Sequence, residues 1–111
     1  MATRSRIAIR NSNDEGYTSV YVHWDGSPDT RMPLLKKHWM DENKIRKLVE
    51  GGDVSSIGVD FSDTRSYAKE RGEELRILRS PSLDELRYDS GYIGEEYLYI
   101  FENNKWRYEG I

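Results

Sequence analysis

The chain contains no cysteine, which removes disulfides, thiol nucleophiles and thiolate zinc sites together. Proline occurs 3 times and phenylalanine only 2 times. No apolar run approaches the roughly 18–20 residues that cross a bilayer, and the N-terminus has no apolar signal-peptide core. Charge of one sign is not in excess either: 17 Lys plus Arg stand against 20 Asp plus Glu, a formal net charge of −3. A nucleic-acid module needs a positive field to neutralise phosphates, and a DNA mimic needs far more negative charge, so neither is expected. The expectation is a soluble, cytoplasmic, single domain over residues 1–111, with no membrane partner and no cofactor.

What the sequence does have is a small aliphatic core and many rings. Apolar residues are 36% and charged residues 33% of the 111, while Tyr occurs 8 times and Trp 3 times. Each ring buries a large area, so aromatics can compensate for sparse aliphatics. Tyr, Trp and Arg are also enriched at interface hot spots, so some rings can form a contact surface instead.

Period-two alternation marks two strands. Ser5, Ile7 and Ile9 alternate with Arg4, Arg6, Ala8 and Arg10; after a polar turn, Val20, Val22 and Trp24 alternate with Tyr17, Ser19, Tyr21 and His23. The pair reads as a β-hairpin. Asp29 or Thr30 is the candidate N-cap of a helix over about residues 30–40. A second helix over about 41–50 begins at Asp41 or Glu42, presents Ile45, Leu48 and Val49, and stops at Gly51-Gly52. Asp53 to Gly58 reads as a turn or short helical piece, Val59 and Phe61 as a short strand, and Asp63 to Gly72 as a short helix or excursion. Leu75, Ile77 and Leu78 suggest another strand, and Ser82 with Glu85 has capping-box spacing. Tyr97 to Phe101 is apolar on both faces, as an interior strand is. Asn103-Asn104 suits a two-residue turn, after which Lys105 to Glu109 forms an edge strand. The predicted fold is α+β: a twisted antiparallel sheet of four or five strands, with the two helices packed on one face.

If the helices cover Ile7, Ile9, Val20 and Val22, the opposite face carries Arg6, Arg10, Tyr17, Tyr21 and His23. To these the pleat adds either Tyr97, Tyr99 and Phe101 or Leu98 and Ile100. The first option makes an open Tyr/Arg/His surface able to stack on planar groups; alternatively, residues 59–90 fold over this face as a second core layer. His23-Trp24-Asp25-Gly26-Ser27-Pro28-Asp29 leaves a strand and enters a helix, where backbone N–H groups can hold an anion. Asp25 and Asp29 oppose an anion there and suit capping of the turn, with Trp24 as a core anchor. The candidate binding residues are therefore Arg6, Arg10, Tyr21, His23, Trp24, Asp25, Tyr97 and Tyr99.

Catalytic and metal motifs are weak. His23 and His38 are the only histidines; their spacing is not a ligand motif, even with Asp25, Asp41 or Glu42 nearby. Glu73-Glu74 and Glu95-Glu96 read as solvated carboxylates, and no P-loop, dinucleotide fingerprint or nucleophile elbow is present.

Thr3-Arg4-Ser5-Arg6-Ile7-Ala8-Ile9, the Trp24-Asp25-Gly26-Ser27-Pro28 turn and Leu34-Leu35 resemble small bacteriophage-encoded proteins of unknown function. Their similar features are a Thr-Arg-Ser strand and a Trp-Asp-Gly-x-Pro turn before a helix. Gly52-Asp53-Val54-Ser55-Ser56, Arg71-Gly72-Glu73 and the Glu96 to Phe101 strand leading to Lys105-Trp106 extend the resemblance over most of the chain. It implies a viral origin and brings no catalytic residues. The expected function is that of a non-enzymatic phage accessory protein binding a host macromolecule, with a host protein as the expected partner, for example to block a defence or regulatory system. The alternative is a small-ligand binder, such as a sponge for a nucleotide signal, in which Arg6, Arg10, Tyr21, His23 and Tyr99 stack a base and pair phosphates. An enzyme using His23 and Asp25 is the third reading. A homodimer that covers an exposed sheet face or edge is compatible with any of them.

Overall fold

A computed structural model describes residues 3–12, 16–67, 72 and 76–111. β1 (Ser5–Arg10) and β2 (Tyr17–Val22) form the expected antiparallel hairpin, with Ile7 opposite Val20 and Ile9 opposite Thr18. Helix α1 runs over Pro28–His38 and α2 over Glu42–Val49. A short strand β3 (Val54–Ser56), a 3-10 turn at Phe61–Asp63 and β4 (Arg65–Ser66) follow. Beyond them come β5 (Leu78–Ser80), α3 (Leu83–Asp89), β6 (Tyr97–Glu102) and β7 (Lys105–Gly110).

The described strands make one seven-stranded sheet in the order β4-β3-β2-β1-β6-β7, with β5 also paired to β2. It is mixed, which corrects the expectation of an antiparallel sheet of four or five strands. β6 lies parallel to β1, with Ile7 beside Tyr99 and Ile9 beside Phe101, and β3 lies parallel to β2 through Val22 and Val54. Parallel neighbours need a crossover rather than a hairpin; α1 and α2 supply it between β2 and β3. β5 pairs antiparallel with Tyr17–Ser19, so β3 and β5 share the outer edge of β2 at its opposite ends.

Both faces are covered. On the first, Leu35 and Trp39 of the α1 region and Ile45, Leu48 and Val49 of α2 pack on Ile7, Ile9, Val20, Val22, Tyr99, Phe101 and Trp106. On the second, Leu86 and Leu83 of α3 pack on Ala8, Tyr17, Leu98 and Ile100. A helix from the 59–90 stretch thus makes the second core layer. The face that the Tyr/Arg/His option left open is closed along its middle.

Local chemistry explains most element ends. Asp41 caps α2, its carboxylate accepting from the N–H of Asn43 at 2.8 Å and of Lys44 at 3.4 Å. Ser82 caps α3 by accepting from Glu85 N–H at 3.2 Å. Helix α1 starts earlier than expected: Ser27, not Asp29 or Thr30, holds the N-cap position, and Pro28 takes the first helical position, where its missing N–H is harmless. Asn103 and Asn104 adopt φ of 54° and 64°, the doubly left-handed pair that matches the twist of a tight hairpin. The segment read as a turn or short helix at 53–58 is instead β3, and Phe61 lies in the 3-10 turn rather than in a strand with Val59. The reading of Asp63 to Gly72 falls partly on residues outside those described, as does Leu75; the strand predicted with Ile77 and Leu78 begins at Leu78.

Candidate functional site

The eight candidate residues do not form one surface. Arg6, Tyr21 and His23 share the second face, as the alternation of β1 and β2 requires. Arg10 is on that face too, but at the far end of β1, exposed and 4.0 Å from Glu102. Tyr97 and Tyr99 lie on the first face, because the parallel register sets Tyr99 beside Ile7 and Leu98 beside Arg6. The strand is apolar on both sides, so its pattern left this orientation open, and the structure settles it on Leu98 and Ile100 for the second face.

Arg6 is almost buried. Its Nε donates to Glu95 Oε2 at 2.7 Å and its Nη1 to Ser19 Oγ at 3.1 Å. Glu95 is itself buried, which corrects its assignment to a solvated pair with Glu96, and its Oε1 accepts from Ile93 N–H at 2.8 Å. Burial pushes the Glu95 carboxyl up, but the Arg6 hydrogen bond, the backbone donors and the Arg6 charge outweigh it and leave the pKa below the ordinary range. Nearby, Tyr21 Oη and His23 Nδ1 share a hydrogen bond of 2.7 Å, and burial pushes the Tyr21 hydroxyl up. Asp53 is buried and paired with Arg76. A cleft of about 350 Å³ opens here, lined by Arg6, Asp53, Arg76, Ile77, Leu78 and Ile93. Its two guanidinium groups are each matched by a carboxylate.

The turn after β2 is held from the core rather than by its own carboxylates. Trp24, expected to be a core anchor, is 45% exposed and meets the His23 ring edge-on at 4.7 Å. Asp25 is exposed and takes a left-handed φ of 60°. The anchor is Arg31, only 1% exposed, whose Nη2 donates to the Trp24 carbonyl at 2.8 Å and Nη1 to Ser5 Oγ at 2.9 Å. Its guanidinium also sits 5.7 Å from the centroid of the Tyr99 ring. No described carboxylate lies within ion-pair distance of it, and burial brings its pKa down to about 10. Tyr99 Oη donates to the Gly26 carbonyl at 2.5 Å, and Gly26 N–H donates to the Thr3 carbonyl at 2.9 Å. A Cβ on Gly26 would lie 2.5 Å from that Thr3 oxygen, so only glycine fits this approach.

The most exposed rings among the described residues are others. Tyr88 and Tyr92 are each 73% exposed and meet edge-on, with centroids 6.4 Å apart. Asp84 and Glu85 in the first turn of α3 and Asp89 at its end flank them, and Asp84, Glu85 and Tyr88 line a cleft of about 330 Å³. The platform is firmly mounted: Leu86 enters the second core, and Arg87 donates two hydrogen bonds to Glu109 of β7 at 2.8 and 2.7 Å. Ile111, 52% exposed, lies beside Gly91. Sequence reasoning missed this surface, although the signal existed. With Ser82 as cap and Leu83 and Leu86 inward, Tyr88 falls two residues past Leu86, on the opposite side of the helix.

A polar cleft of about 600 Å³ lies between Asn11, Thr18, Glu42, Asn43, Arg46, Glu50 and Arg79. Arg46 is occupied there, donating to Asn11 Oδ1 at 2.8 Å. Among the described residues no cluster of three or more potential ligands could hold a metal ion, and no helix is long and apolar enough to cross a membrane. These features define an α+β protein with a mixed sheet, helices on both faces and an aromatic, acid-flanked surface at one corner. No family model, curated protein or solved structure matches the chain.

Proposed function

We propose that the chain is a non-enzymatic bacteriophage accessory protein that acts in the host cytoplasm by docking a host protein with a basic segment, thereby blocking a defence or regulatory system. The observation that carries this reading is the Tyr88–Tyr92 pair, two large rings standing in solvent on an anchored helix. Tyr is a preferred hot-spot residue, and ring faces attract Lys and Arg side chains. Asp84, Glu85 and Asp89 around the pair supply the complementary charge. The viral origin rests on the sequence resemblance alone.

The test is affinity purification of the tagged chain from host lysate alongside a Tyr88→Ala/Tyr92→Ala variant with an unchanged melting temperature. A single stoichiometric host protein, lost with the double variant and weakened by salt, is the expected result. Truncating two hot-spot rings costs about 2 kcal/mol or more each, enough to abolish capture. Retention of the same partner by the double variant refutes the surface, and absence of any stoichiometric partner refutes the function.

A second reading is a small anionic ligand, such as a nucleotide signal, in the cleft beside Arg6 and Arg76. It requires the ligand to displace Glu95 or Asp53 from its guanidinium. A thermal shift with a nucleotide panel, lost in Arg76→Ala, supports it; no shift across the panel removes it.

A further inference from the structure

The sheet has one long edge with nothing described beyond it, and that edge is complementary to itself. β7 is the terminal strand, paired with β6 alone. The two-residue turn makes Glu102 and Lys105 the first hydrogen-bonded pair, so Lys105, Arg107 and Glu109 turn their backbone groups toward β6. Ile111 continues this phase, its N–H donating to the Glu96 carbonyl at 2.9 Å. The N–H and C=O groups of Trp106, Tyr108 and Gly110 therefore point outward. Such an edge is a template for another strand.

Self-pairing is restricted by its charges. In an antiparallel pair of two β7 strands, hydrogen-bonded pairs come from Trp106, Tyr108 and Gly110, while Lys105, Arg107 and Glu109 meet in the closer, non-hydrogen-bonded pairs. A two-fold axis at Trp106 sets Lys105 against Arg107 of the second copy, and an axis at Glu109 sets that carboxylate against itself. An axis at Arg107 gains Lys105–Glu109 pairs but opposes two guanidinium groups at its centre. Only an axis at Tyr108 opposes Arg107 to Glu109 on both sides of the seam. It also places the two Tyr108 rings opposite each other on the first face, where Tyr108 is 48% exposed and already packs on Tyr97 and Tyr99 at centroid distances of 6.2 and 5.9 Å.

We propose that two copies of this chain form a dimer by antiparallel pairing of β7 with β7 about a two-fold axis at Tyr108. The partner is a second copy because the charge pattern is self-complementary in this one register. The pairing closes about six backbone hydrogen bonds and carries the row formed by Arg107, Glu102, Glu109 and Arg87 across the axis. It uses neither the Tyr88 nor the Tyr92 ring.

The absence of cysteine provides a clean test. Single-cysteine variants Arg107→Cys, Tyr108→Cys and Glu109→Cys are oxidised mildly and their covalent dimers followed in time, while sedimentation velocity of the unmodified chain reports the mass from nanomolar to high micromolar concentration. The expected result is a concentration-dependent dimer, with cross-linking fastest at position 108. Tyr108→Pro, which removes an outward N–H that makes no bond to β6, at an edge where proline is tolerated, together with the ring at the axis, is expected to sediment as a monomer. A monomer at every concentration overturns the proposal, as does fastest cross-linking at 107 or 109. If Tyr108→Pro fails to fold, the position dependence of cross-linking still decides.

Discussion

Arg6 and Glu95 are a demanding test of how this sheet is held together. Their side chains are 8% and 0% exposed and joined at 2.7 Å, so each is tolerated only because of the other. Replacing Glu95 with Leu leaves a guanidinium in the second face without its counter-charge and takes the acceptor from Ile93 N–H. Breaking one side of a buried pair costs about 3–5 kcal/mol. In a chain of this size each kcal/mol shifts the melting temperature by roughly 4 °C, so Glu95→Leu is expected to lower it by roughly 12–20 °C. Arg6→Met leaves a buried carboxylate that escapes its penalty by taking up a proton, so its destabilisation shrinks as pH falls. The native pair has the opposite dependence. Glu95 is held below its ordinary pKa, so its contribution is complete above the unfolded value and is lost as pH falls through the folded one. The double variant Arg6→Met/Glu95→Leu removes both charges and is expected to recover most of the loss, since well-packed apolar replacements of buried pairs are near neutral. Urea melts followed by tryptophan fluorescence at several pH values give the full cycle. A Glu95→Leu cost below about 1 kcal/mol, or a double variant as unstable as the sum of the singles, would show that the two groups are solvated and uncoupled.

Two further outcomes follow from the turn regions. Arg31→Met deletes two hydrogen bonds from a buried charged donor and is expected to cost roughly 2–4 kcal/mol; a thermal melt shifted by less than a few degrees would mean that the Trp24–Ser27 turn holds itself. Asn104→Gly relieves a left-handed residue at φ 64° and is expected to stabilise the hairpin by about 0.5 kcal/mol, while Asn104→Val destabilises it; equal urea midpoints for the two variants would contradict the turn geometry.

The sequence carried local information well and partner information poorly. Alternation in 5–10 and 17–22, the Asp41 and Ser82 caps and the paired asparagines depend on neighbours a few residues away, and each could be read directly. Faces were legible for β1 and β2 because one side is aliphatic and the other polar. In β6 both sides are apolar, so Tyr99 could be placed only once Ile7 was known to be its neighbour. Glu95 resembled a surface residue because its partner Arg6 is 89 positions away. Arg31 lies on a weakly patterned, proline-containing helix, where no periodicity marks an arginine as the inward residue. Composition supplies many rings, and only packing determines that Tyr21 and Tyr99 are buried while Tyr88 and Tyr92 stand in solvent.

The position of β1 has a consequence for the order in which this protein can be built. It is synthesised long before β6, the strand for which one of its edges is reserved. Until residues 97–102 leave the ribosome, the hairpin presents the Ile7-Ala8-Ile9 edge, unpaired and apolar on both sides. Closing this contact spans most of the chain, the kind of long-range pairing that slows folding and leaves an aggregation-prone edge exposed meanwhile. Production from a nascent chain should therefore be governed less by the stability of the finished sheet than by how long its centre waits for its neighbour.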